Sequence, residues 1–329
     1  METAAPSSAA KEPDSRSLGS PATLPGNSLH DLARSLKKQW KRYRRRLKRC
    51  QDKFSEEAIH GCRVETRRLL SSVELLSSLL STRHLDKAHR VLKRHLDSLE
   101  DLRDTQVQLV TVGEMLRAFP AAQPFYTFLV KREKRFTRET RESIRQIRHR
   151  HLGKLIAACR DDVKARLKDC PPRRATELVV RSVNQAFTRT RQRRMLIRPE
   201  DARSIHRTRV AFKKFRYMVE ALAEHLPAFT RERLAAMHRY QTMMGEIQDA
   251  EVLLWTLDKF LRKQEIEPEV ARRFREELLR RRQQLIRVYL GAADQLLEFW
   301  PLLNSGAGVS PATPGRQTRA SRLRINAES

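Results

Sequence analysis

Two strings in this sequence place the same chemistry at the same spacing. In IHGCRVETRRLLSSVE, residues 59–74, the imidazole of His60 is followed by Arg63, Arg67, Arg68 and, fourteen residues on, Glu74. In IHRTRVAFKKFRYMVE, residues 205–220, His206 is followed by Arg209, Lys213, Lys214, Arg216 and, again fourteen on, Glu220. Both contain I-H-x-x-R-V-x-x-[RK]-[RK]. Spacings of three and four return to one face of an α-helix, so each string presents a stripe of cations headed by an imidazole. Such a stripe suits phosphate oxygens, which the planar guanidinium fork engages in pairs. The plain alternative is ion pairing within the helix. One glutamate cannot neutralise a column of three cations, so phosphate contact is the better reading. For His60 and His206 two roles stay open: a donor facing phosphate, or a helix histidine held by the Glu or Asp of its own half. Metal ligation is not expected, because the two lack the close local spacing of a zinc site.

A second pair of strings lies downstream, LEDLRDTQV at 99–107 and MGEIQDAEV at 244–252. Asp104 and Asp249 resemble catalytic carboxylates, but beside a positive stripe they read as acceptors that orient its arginines. Arg103 is a further candidate phosphate contact, whereas its counterpart Gln248 carries no charge. His60 and His206 are 146 residues apart, and Asp104 and Asp249 are 145 apart. Two motifs at nearly one offset point to an internal duplication.

The elements that must carry these side chains are helices. The chain has 329 residues but only 10 glycines, and its abundant residues are good helix formers. A helix is expected from Leu29, burying Leu32, Leu36, Trp40, Tyr43 and Leu47 and showing ten Lys or Arg between Arg34 and Arg49 with no acid among them. Ser55 caps the first His-Arg helix, with Glu56 and Glu57 in its first turn, running to about Leu80. A third spans about Leu85–Phe119, ended by Pro120 and Pro124. A fourth, Phe125 to about Lys168, is expected to break near Gly153. Pro171 and Pro172 mark the strongest internal boundary. Beyond it come a basic helix at about 175–195, the second His-Arg helix to about His225, a helix at about 231–262 and a last one at about 268–300. Residues 1–28 and 304–329 have the composition of disordered tails. The expected architecture is all-α: two four-helix bundle halves, about 29–169 and 173–303, from an internal duplication and related by pseudo-twofold symmetry.

Charge bounds the partner. Lys and Arg number 68 against 39 Asp and Glu, a net charge of +29, so a polyanion is expected. The four cysteines form no C-x-x-C pair, and reduced thiols are expected. No signal peptide or membrane span is apparent, which suggests a cytoplasmic protein.

The strings resemble the CHAD domain, the conserved histidine α-helical domain, in four blocks and in the right order. The first copy carries His60, Arg63, Val64, Arg67, Arg68 and Leu69, with Leu102, Arg103, Asp104 and Val107 downstream. The second carries His206, Arg209, Val210, Lys213, Lys214, Phe215, Arg216 and Tyr217, with Gly245, Ile247, Gln248, Asp249 and Val252. The resemblance covers about 29–303. Leu70 stands where an arginine is usual, and Glu100 where a glycine is expected. The resemblance implies two four-helix halves and a basic channel that binds inorganic polyphosphate, often at polyphosphate granules.

No enzyme is expected. There is no G-x-x-x-x-G-K-[ST] loop for a nucleotide. The E-x-E-x-K string of triphosphate-tunnel domains is missing too, its nearest approach being EIEPE at 265–269. No motif calls for a cofactor. The expected function is binding of polyphosphate without turnover; the rival is a generic RNA or DNA binder. Against the rival, aromatics are only 6% of the chain and the motif phenylalanines fall on the core face, leaving no stacking platform.

Overall fold

The computed structural model describes residues 28–168, 170–223, 229–263 and 267–300. The expected tails lie outside the described residues, save Ser28, where the first helix starts. Among the described residues the regular structure is helical, as expected: α1 (Ser28–Asp52), α2 (Glu56–Leu79), α3 (Arg83–Asp97), α4 (Glu100–Met115), α5 (Gln123–Gln146), α6 (His149–Lys168), α7 (Pro172–Met195), α8 (Ala202–Leu222), α9 (Arg231–Leu261) and α10 (Pro268–Gly291).

The starts are set by local chemistry. Ser55 Oγ accepts from the Ala58 amide at 3.2 Å, and Glu56 and Glu57 complement the positive end of α2. Thr82, Asp201 and Thr230 cap α3, α8 and α9 in the same way. The long third helix is two, α3 and α4, parted at Ser98–Leu99. There Ser98 Oγ donates to the His95 carbonyl at 3.0 Å, and the Ser98 carbonyl accepts from Thr140 on α5 at 3.3 Å. The fourth is also two, but the break is at Ile147–Arg148 rather than Gly153. Gln51 of α1 donates to the carbonyls of Ile144 at 2.9 Å and Ile147 at 3.3 Å, which satisfies the end of α5. Gly153 lies inside α6, where a Cβ would stand 3.0 Å from the Trp40 ring. Its missing side chain lets the indole lie against the helix.

Among the described residues two hydrophobic cores hold the bundle, and residues from both sides of Pro171–Pro172 enter each. The larger runs from Leu36, Tyr43 and Leu69 to Phe187, Phe212, Phe215 and Tyr240. The smaller joins Val112, Phe125 and Leu129 of α4 and α5 to Leu253, Phe260 and Phe274 of α9 and α10. In α8, Ile205, Phe212, Phe215, Val219 and Leu222 are all buried, which puts the motif phenylalanines on the core face, as expected. With those residues anchored, the cations of α8 must point elsewhere. α2 packs against α8, so the two stripes are brought side by side.

Candidate polyanion-binding groove

A groove of about 1070 Å³ lies among α2, α3, α7 and α8. Arg67, His206, Lys213 and Lys214 line it, together with Lys93, Arg189, Arg193 and Arg207, which the motifs did not single out. Lys93 is held by Asp97, and Arg207 by Asp201 at 3.1 Å. Among the described residues, Arg67, Arg189, Arg193, Lys213 and Lys214 make no ion pair. The opposite situation holds on α10. There Arg272, Arg273, Arg275, Arg280 and Arg282 are each matched by a carboxylate at 2.9 Å or less. The groove thus holds unmatched charge, and it comes from both halves of the chain.

Beneath the groove the stripes meet. The guanidinium Nε atoms of Arg63, Arg67 and Arg209 are buried and have no hydrogen-bond partner. Burial, reinforced by Arg67 and Arg103, pushes the Arg63 guanidinium down to about 10. Burial with Arg67 and Arg209 as neighbours pushes the Lys213 ammonium down to about 7. Arg209 is likewise lowered by burial, with Asp249 opposing the shift. A cluster of cations that depresses its own members is a cost to folding, and phosphate oxygens would relieve it.

The carboxylates behave differently from expectation. Asp104 and Asp249 were expected to grip stripe arginines, yet among the described residues neither forms an ion pair or a side-chain hydrogen bond. They act at longer range: burial and the nearby Asp249 raise Asp104 to about 6, and burial raises Asp249 against the pull of Arg209, Arg103 and Arg63. Glu74 pairs with His89 at 3.2 Å and not with the stripe of its own helix. Glu220 pairs with Arg216, whose Nε also donates to Gln241 at 2.8 Å. Arg216 is only 5% exposed and lies 4.5 Å from the Tyr217 ring centroid, so it is committed to the core and not free for a phosphate. Its counterpart Leu70 is buried too, so the sequence departure at Leu70 removes no surface cation.

The remaining sites separate into two sets. His206, which lines the groove, donates from Nδ1 to the Gln248 side-chain oxygen at 2.6 Å, so Nε2 is the nitrogen left for a ligand. In that arrangement only the imidazolium can donate to a phosphate through Nε2. His60 is exposed and, among the described residues, makes no hydrogen bond; the position equivalent to Gln248 is Arg103, which cannot accept one. Arg68 is exposed and bonded to Glu65 at 2.7 Å. His60, Arg68 and Arg103 lie off the groove lining. Gly245 lies beside Arg209, where a Cβ would stand 3.8 Å from Nε in ordinary van der Waals contact. At the equivalent position Glu100 starts α4, lines the groove and pulls electrostatically on Arg63, Arg209 and Lys213 without an ion pair.

The basic helices divide. α7 faces the groove through Arg189 and Arg193, four residues apart on one face. α1 instead borders a hollow of about 180 Å³ with α6, lined by Lys37, Lys41, Arg44 and Arg160. Sequence reasoning could not separate these, because a charged helix face looks alike whether it borders a groove or solvent. Among the described residues no cluster of His, Cys, Asp and Glu has metal-binding geometry, and no helix is long and apolar enough to cross a membrane.

The CHAD domain family model matches residues 31–258. The chain belongs to the CHAD domain family. The CHAD domain from the plant Ricinus communis, known from its crystal structure, superposes with a TM-score of 0.65 at 20% identity, covering 86% of this chain and 97% of that one. PptA from Streptomyces chartreusis superposes at 0.60 and 18% identity, covering 85% and 100%. At these identities the likeness shows the CHAD fold. No curated protein matches the sequence.

Proposed function

We propose that this CHAD protein binds inorganic polyphosphate in the groove among α2, α3, α7 and α8, without turning it over, and through that binding associates with polyphosphate granules. The observation that carries the reading is the set of unmatched cations, Arg67, Arg189, Arg193, Lys213 and Lys214, gathered on one surface. Polyphosphate offers repeated charge and nothing else to read, which fits a wall of cations with few other features. Family membership supports the choice. The lining favours polyphosphate over nucleic acid as well. Its one aromatic, Tyr217, is buried beside Arg216 and offers no face for a base.

The test is competition. Labelled long-chain polyphosphate bound to the full chain at physiological salt should resist displacement by RNA or DNA at equal phosphate equivalents. Displacement at parity would make the protein a generic polyanion binder. Absence of turnover is checked by recovering the polyphosphate at its original length after prolonged incubation.

A further inference from the structure

We infer that the ligand track continues past the groove: a polyphosphate chain long enough to leave it crosses α3 and runs along a second basic depression between α3 and α6. This rests on the polyphosphate reading above and adds a dependence on chain length. The depression has a volume of about 700 Å³ and is lined by Lys87, Arg90, Lys93 and Arg94 of α3 and by His151 of α6, among others. Lys93 and Asp97 line both it and the groove, so the two surfaces meet at one turn of α3. At that crossing Lys93 Nζ sits 2.9 and 3.1 Å from the two Asp97 oxygens, a neutral pair and therefore no electrostatic barrier.

Beyond the crossing, Lys87, Arg90 and Arg94 make no ion pair among the described residues. Their spacing of three and four sets them in a row along one face, successive positions rising by roughly 4.5–6 Å. A row of unmatched charges continuous with a groove fits a linear polymer of charges. A compact phosphate compound could occupy only one of the two surfaces.

The experiment uses the full chain with Lys87→Ala/Arg90→Ala/Arg94→Ala, substitutions a helix tolerates, and inorganic oligophosphates from tripolyphosphate up to long-chain polyphosphate. Dissociation constants are measured across a salt series, and a thermal melt checks folding. For the wild type the slope of log Kd against log salt should steepen as chains outgrow the groove. The variant should lose about 2 from the long-chain slope, roughly 0.7 per cation removed by analogy with single strands, and keep short-chain affinity. An unchanged long-chain slope would overturn the extension while leaving the groove reading intact. Failure of the wild type to bind any oligophosphate would overturn both.

Discussion

Burial and the neighbouring Arg67 and Arg209 hold the Lys213 ammonium down to about 7, so this lysine exchanges its proton in the physiological range. Phosphate oxygens favour the ammonium and raise its pKa in the complex. Below about 7 the free protein already carries the charge, and this group adds no pH dependence. Above it, binding must take up a proton, and affinity should fall by at most about tenfold per pH unit. Lys213→Arg keeps its charge throughout and should flatten that limb, with dissociation constants read by fluorescence anisotropy. Equal slopes in both proteins would show that Lys213 does not meet the ligand. Glu100 is the opposite case, a carboxylate competing for the same cations. Glu100→Gln should tighten polyphosphate binding several-fold in the same assay, and weaker binding would mean that Glu100 positions the site instead of opposing the ligand.

At the scale of the helix, α8 does two jobs with one register. Ile205, Phe212, Phe215 and Val219 anchor it, and Lys213 and Lys214 are thereby turned to the groove. Arg216, read from sequence as part of the stripe, is carried round to the core side, where Glu220, Gln241 and the Tyr217 ring take up its charge. Arg216→Leu should therefore cost about 2–3 kcal/mol of stability by stranding Glu220. Polyphosphate affinity of the folded variant should stay at the wild-type value. Lost affinity with an unchanged melting temperature would make Arg216 a ligand contact after all. The apolar periodicity, the caps and the matched His-Arg strings were legible in the sequence because they are local. The break at Ile147–Arg148 was not, since it is satisfied by Gln51, about 95 residues away along the chain. Lys93, Arg189 and Arg193 were equally hidden. Nothing local to a charged face says whether another helix stands opposite it.

For the whole molecule, a net charge of +29 would by itself predict attraction to any polyanion over the whole surface. The structure divides that charge. Five arginines of α10 are matched by its own carboxylates and by Asp258 and Glu251 of α9, while among the described residues Arg67, Arg189, Arg193, Lys213 and Lys214 of the groove form no ion pair. Place, more than total charge, thus decides binding, and one comparison of equal charge tests it. Arg189→Gln/Arg193→Gln removes two cations from the groove, and Arg273→Gln/Arg280→Gln removes two from α10. At physiological salt the groove variant should lose about tenfold or more in polyphosphate affinity, as expected when charge-assisted contacts are removed, and the α10 variant should bind like the wild type. Equal losses in the two variants would contradict the account.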